Sequence, residues 1–357
     1  MTPALVPNTA ARNLATHQVQ AYFDANAALR DALGIAARAT CILRPLARGE
    51  YNANFVFTHP ATRALLLLRI NLGSQMHLPD QIGYEAHALH LLDACPRTPR
   101  VLFVAAAPAY CGAGVLVQEY LPGAPLCYET DLVEAAHILA DVHAVALPPH
   151  PGLVAPKFPQ AAIVSECEEM FAVYRQSALA RPQTLARINH LFQAARAAIA
   201  HETPQVGGCL INTELNARNF LINPGAPGYL IDWEKPLLGA PEQDLAHFLA
   251  PTTTLWKTDT VLGLAPRTHF LEAYCAAAGR PAAATPAPAR PTPAAAPAAT
   301  LTLYLRITCL RGISWCAMAL VDYAARPPQA RDAYTYAKIQ HFLSEGFLTF
   351  IEREYFS

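Results

Sequence analysis

Three oxygen-bearing side chains mark one stretch of the chain. Asn212-Thr213-Glu214-Leu215-Asn216-Ala217-Arg218-Asn219 runs into Phe220-Leu221-Ile222 and, after a turn, into Tyr229-Leu230-Ile231-Asp232-Trp233-Glu234. Glu214 stands five residues before Asn219, and Asp232 closes the second apolar run. Between the runs lies Asn223-Pro224-Gly225-Ala226-Pro227-Gly228, a strong turn signal. The expected order is loop, short strand, turn, short strand, acid. A carboxylate can accept or orient the proton of a hydroxyl, while an amide oxygen and a second carboxylate suit a hard cation such as Mg²⁺. Those two functions serve phosphoryl transfer, where catalysis is mostly positioning and charge neutralisation. The same residues also fit a polar hairpin with two solvated acids.

The constellation resembles the family of aminoglycoside phosphotransferases, choline kinases and similar small-molecule kinases. The usual family pattern is H-G-D-L-x-P-x-N followed by I-D-W/F-E. Asn219, Asp232, Trp233 and Glu234 fit it, and Asp244 in Glu242-Gln243-Asp244-Leu245-Ala246 matches the family's later D-L-A. Two residues depart. Asn212 stands where the family has His, and Glu214 where it has Asp. The longer side chain moves the charge outward by one methylene, and misplacement of about 1 Å can cost about 100-fold in rate.

The resemblance implies an α+β, bilobal protein-kinase-like fold, with a small antiparallel β lobe and a larger, mainly helical lobe. It implies a cleft site using ATP and Mg²⁺ to phosphorylate a hydroxyl of a small molecule, such as an aminoglycoside, a choline-like amino-alcohol or a sugar. Glu214 is then the base or orienting acid, and Asn219 and Asp232 are metal ligands. The Asn212 and Glu214 departures also fit a degenerate kinase-like fold acting as a nucleotide-binding or regulatory module. A protein kinase is disfavoured, because no A-P-E-like segment follows Asp232.

Further elements must position these groups. Residues 15–36 are expected to be helical. Residues 42–57 have the pattern strand, turn at Gly49, strand. In the resemblance this loop covers the nucleotide, and Gly49 and Asn52 contact it. Arg63-Ala64-Leu65-Leu66-Leu67-Leu68-Arg69-Ile70 is an apolar strand, and Arg69 stands where a kinase carries its phosphate-holding Lys. Asp80 caps an expected helix to about residue 94, whose apolar stripe carries Glu85. A lone carboxylate there would be costly, so Glu85 is expected within ion-pair reach of Arg69. The strand Val115-Leu116-Val117-Gln118-Glu119-Tyr120-Leu121 resembles the hinge, where backbone groups around Glu119 to Leu121 would meet adenine.

Farther on, Asp131-Leu132-Val133-Glu134 resembles a capping box. His143 falls on the apolar face of the helix it opens, as a satisfied core histidine does. Residues 160–200 are expected to be helical, with Glu166, Glu168 and Glu169 on a solvated face. Asp244 caps the next helix or braces the catalytic loop, and His247 packs. Residues 281–300 hold six prolines and one charge, Arg290. That density prevents regular helix and implies a disordered insertion. Helices over 301–325 and 331–355 follow. Most of their aromatic residues should be core, although some could form a box for an alkylammonium group.

The expected organisation is an N-terminal helical extension over 1–40, a nucleotide-covering lobe over 41–121, and a catalytic and substrate lobe over 122–357. Among 357 residues the net charge is −1, so no basic field points to nucleic acid. No uninterrupted apolar run approaches the roughly 18 residues of a membrane span, and no signal peptide is visible. Nine cysteines without C-x-x-C spacing suit reduced thiols in a cytoplasmic protein.

Overall fold

The structure is a computed structural model that describes residues 15–48, 51–74, 76–110, 112–205, 207–279 and 296–357. In chain order the elements are α1 (Thr16–Ala25), α2 (Ala27–Ala32), β1 (Arg44–Arg48), β2 (Asn52–Thr58), β3 (Leu65–Asn71), α3 (Gln81–Leu91), β4 (Val101–Tyr110), β5 (Ala113–Glu119), β6 (Ala124–Pro125), α4 (Leu132–His143), α5 (Pro159–Arg175) and α6 (Pro182–Ile199). There follow β7 (Cys209–Ile211), β8 (Phe220–Ile222), β9 (Tyr229–Leu230), β10 (Leu237–Gly239), α7 (Pro241–Leu249), α8 (Pro251–Lys257), α9 (Leu264–Ala277), α10 (Ala296–Ala325), α11 (Ala333–Phe342) and α12 (Glu345–Tyr355). Gly49 lies outside the described residues, as do residues 281–295 of the Pro/Ala-rich segment. The chain divides into two units, one of residues 1–125, 145–153 and 220–236, the other of 126–144, 154–219 and 237–357.

The first unit is built on a five-stranded antiparallel sheet in the order β1-β2-β3-β5-β4. Side chains alternate across a strand, so a run such as Leu66, Leu68 and Ile70 fills one face. These residues join Phe55, Phe57, Val115 and Val117 in a core closed by Val19 and Phe23 of α1 and Leu29 of α2. On the opposite face, Leu116 packs with Ile82 and Ala86 of α3. Asp80 caps α3 as expected, its side chain accepting from the Gly83 N–H at 3.0 Å. A small sheet, β6-β8-β9, carries the hairpin expected between residues 220 and 231.

The second unit is mainly helical, with the two-stranded β7-β10 ladder. α10 packs along α5 and also against α6, α7 and α8. It is apolar nearly all round, as a helix surrounded by others must be. Residues 299–325 are long and apolar enough to cross a membrane by composition, yet 61% of the most apolar window is buried inside the protein. Three expectations need correction here. α10 begins at Ala296, so the last five residues of the Pro/Ala-rich segment are helical. The residues expected to be helical over 160–200 form two helices with a break at 176–181, each with proline in its first turn, where the missing N–H is no loss. A third concerns Asp131. It sits at the N-cap of α4 but makes no side-chain cap, because its carboxylate accepts from the Cys127 N–H and the Thr130 hydroxyl.

Candidate active site

In the first unit, register builds a polar ladder on the sheet face opposite the α1/α2 core. Asn52 pairs with Asn71 and Asn54 with Arg69 across β2 and β3. The Asn71 Nδ2 donates to Asn52 Oδ1 at 3.0 Å, and the Arg69 Nε donates to Asn54 Oδ1 at 3.2 Å. Arg69 Nη1 lies 2.5 Å from Glu85 Oε1, so the expected ion pair is present. The same nitrogen lies 3.5 Å from Asp232 and 3.9 Å from Glu234. Asn52 Nδ2 donates to Glu234 Oε1, and Gln81 Nε2 donates to the Glu234 carbonyl at 2.7 Å. Asn54, Asn71 and Glu234 were not expected among these groups. The β2–β3 register is the signal that could have found the two asparagines.

Three carboxylates therefore share one guanidinium. Burial works against the charge of Arg69, but Glu85, Asp232 and Glu234 outweigh it and hold its pKa above the ordinary value. Burial and the neighbouring Asp232 push Glu85 up to about 7, against the pull of Arg69. Glu234 is raised well above the usual carboxylate range by burial, then by Asp232. Asp232 itself has φ +67°, in the left-handed region that non-glycine residues rarely occupy. Such strain persists where the surroundings over-determine the backbone, commonly at functional sites.

A pH dependence follows. The folded-state value of Glu85 lies above its unfolded value near 4.5. Its stabilising contribution is thus full below about 4.5 and lost as pH rises through about 7. Glu85→Gln should gain thermal midpoint on the wild type between pH 5 and pH 8. A midpoint difference that is flat across this range would show that Glu85 does not hold the proton.

In the second unit, Asp244 is fully buried and organises the loop that bears Glu214. It accepts from the Asn212 and Thr213 N–H groups, each at 2.8 Å. α7 starts at Pro241, so Asp244 lies inside its first turn and braces the loop without capping the helix. His143 is satisfied, with Nδ1 2.9 Å from the Tyr274 hydroxyl and Nε2 3.2 Å from Asp244 Oδ2. His247 Nδ1 accepts from the Leu215 N–H at 3.1 Å. Asn212, which replaces the family histidine, turns its Oδ1 to the Glu214 N–H at 2.9 Å, a local Asx turn. Thr213 between them has φ +68°. Asn219 Nδ2 donates to the Glu214 carbonyl at 2.6 Å, so the backbone of Glu214 is tied on both sides.

Arg311 of α10 was missed by sequence reasoning. Its Nη2 lies 3.8 Å from Glu214 Oε1, and its Nε donates to Glu166 Oε2 at 3.2 Å. Burial opposes its charge, but Glu166 and Glu214 keep its pKa above the ordinary value. The acidic face of α5 is thus not merely solvated, since Glu166 pairs with Arg311 and Glu168 with Arg196. No local motif signals Arg311, because it lies 97 residues beyond Glu214 in sequence.

The hinge differs from expectation. The Glu119 carboxylate pairs with Arg100 at 2.7 Å, and its N–H donates to the Arg100 carbonyl at 3.0 Å. The Tyr120 N–H donates to the Leu65 carbonyl at 3.2 Å. Neither N–H is available to a nucleotide, whereas that of Leu121 has no partner among the described residues. The aromatic expectation resolves mostly to core, as for Tyr304, Phe342 and Phe347. The Trp256 and Tyr334 faces already hold cations of the chain. Lys257 is 5.5 and 6.0 Å from their centroids, and Lys338 is 5.4 Å from that of Tyr334.

A family model described as the phosphotransferase enzyme family matches residues 42–291. No curated protein matches the sequence. Among solved structures, the choline kinase of Cryptosporidium parvum Iowa II has a TM-score of 0.61 at 12% identity, covering 92% of this chain and 94% of its own. The aminoglycoside phosphotransferase APH(4)-Ia has a TM-score of 0.59 at 15% identity, covering 95% and 99%. A spectinomycin phosphotransferase in complex with ADP and spectinomycin has a TM-score of 0.56 at 11% identity, covering 88% and 93%. At these identities the likeness is one of fold, and the fold is α+β and kinase-like, with a small antiparallel β lobe and a larger helical one. Because the family model spans most of that fold and both loops built above, the chain belongs to the phosphotransferase enzyme family and is a small-molecule phosphotransferase.

Proposed function

We propose that the chain is an ATP- and Mg²⁺-dependent kinase that moves the γ-phosphate to a hydroxyl of a small molecule. The observation that carries this reading is the orientation of Asn219. Its Nδ2 is spent on the Glu214 carbonyl, which leaves its Oδ1 as an oxygen donor in the loop that holds the Glu214 carboxylate. Glu214 orients the acceptor hydroxyl and takes its proton. Asn219 and the strained Asp232 supply oxygen ligands to Mg²⁺, which when bound neutralises charge on the phosphates. Among the described residues, no three His, Cys, Asp or Glu side chains gather into a cage.

Arg69 holds the α- and β-phosphates, with Glu85 behind it, and Asn52 and Gly49 belong to the covering loop. Adenine recognition falls to Leu121, with at most the carbonyl of Glu119. Nucleotide use is supported by similar structures that contain ADP or AMP-PNP. The acceptor class is supported by similar proteins named for choline, ethanolamine and aminoglycosides. Free cysteines among the described residues support a reducing, cytoplasmic setting.

The test is the thermal midpoint with millimolar ATP and Mg²⁺. Ligand at 100 times its dissociation constant adds about 2.7 kcal/mol to the native state. A Mg²⁺-dependent rise, lost in Asp232→Asn, is expected, and ADP release should then identify the acceptor from a panel of hydroxyl compounds. No rise would favour the degenerate module suggested by the Asn212 and Glu214 departures.

A further inference from the structure

We propose that Arg311 is a positioning residue for Glu214, and that it adapts the site to glutamate at a position where the family usually has aspartate. The inference rests on the reading of Glu214 as the group that orients the acceptor hydroxyl. The backbone of Glu214 is fixed by Asn212 and Asn219, but its side chain keeps its rotamer freedom unless something holds the carboxylate. Among the described residues, Arg311 is the ion-pair partner that does so, at 3.8 Å.

Arg311 is itself held from behind. Its Nε and Nη2 donate to the two carboxylate oxygens of Glu166 at 3.2 and 3.5 Å, so the planar fork has a set orientation. The helix beneath is also fixed in place. A Cβ at Gly312 would sit 2.6 Å from the Thr252 Cβ, so only glycine lets α10 come this close to α8. On the α5 side, Cys167 of α5 and Ser314 of α10 are fully buried where the two helices pack. The chain thus places a rigid cation at the distance that a glutamate can reach. An aspartate at 214 would withdraw the carboxylate by about 1.5 Å, one C–C bond, beyond ion-pair contact.

The experiment is a double-mutant cycle of R311M and E214Q, read as ADP release from Mg²⁺-ATP. The acceptor is the hydroxyl compound found in the panel or, failing that, water. R311M should lower kcat by about 10- to 100-fold, the scale of an ångström-level misplacement. It should leave the KM for ATP and the ATP-induced midpoint rise unchanged. R311K should recover part of the loss, and E214D should be slower than wild type although it restores the family residue. On the E214Q background, R311M should cost less than about twofold, because coupled residues are not additive.

Wild-type kcat in R311M, or the same loss on both backgrounds, would overturn the proposal while leaving the role of Glu214 intact. Wild-type turnover in E214Q would instead overturn the reading of Glu214 on which it rests. The unfolding midpoints of the same four proteins give an independent cycle that needs no turnover. Coupling between the two substitutions is expected there, and strict additivity would refute the contact.

Discussion

Glu214→Gln lowers turnover by about 10²–10⁴-fold, the usual contribution of a positioned acid or base, and leaves ATP binding nearly intact. Glutamine keeps the size of the side chain and removes only its charge and proton affinity. The loop should not move. Its geometry comes from the Asp244 carboxylate on two N–H groups, the Asn212 Oδ1 on the Glu214 N–H and the Asn219 amide on the Glu214 carbonyl. None of these uses the Glu214 side chain. The measurement is ADP release beside the midpoint rise with Mg²⁺-ATP. Unaltered turnover would remove Glu214 from the mechanism. Loss of the midpoint rise would mean that Glu214 acts in nucleotide binding.

The second large effect is on stability. Arg69→Met strands Glu85, which is 1% exposed and has one carboxylate oxygen, Oε2, already without a hydrogen-bond partner. Removing one partner of a buried ion pair costs about 3–5 kcal/mol, because the other charge stays buried. Asp232 and Glu234 add to the cost, since both also lie within 4 Å of Arg69 and would repel each other without it. The cost should be largest near pH 8 and shrink toward pH 5. Glu85 can then take up a proton, which its buried setting already favours. Denaturant unfolding at the two pH values tests this. A variant as stable as wild type at pH 8 would show that the cluster is neutralised by other means.

Much of this chain was legible before its structure. Short-range pattern sufficed where the physics is local. The hairpin between 220 and 231 announced itself by a proline- and glycine-rich turn between apolar runs. The α3 stripe announced Glu85 as a buried acid in need of a cation, and an apolar strand ending in Arg69 offered one. Asp244 could be assigned to the loop or to a helix cap, but not to one of them. That choice depends on where α7 begins, and Pro241 starts it one turn earlier than the apolar residues suggest.

The order of residues already contains the set of oxygen donors and cations, and the family in which such a set occurs. Residue type and spacing along one strand or turn carry that information, because each element's geometry repeats over a few residues. The company these groups keep is set by the folded chain. Asn54 and Asn71 join Arg69 through strand register, and burial together with the neighbouring Asp232 raises the proton affinity of Glu85. Glu119 loses its N–H to a neighbouring strand end, and Arg311 reaches Glu214 from a helix far along the chain. Charge–charge energies depend on distance and burial, and neither is written in the order of residues until the chain has folded.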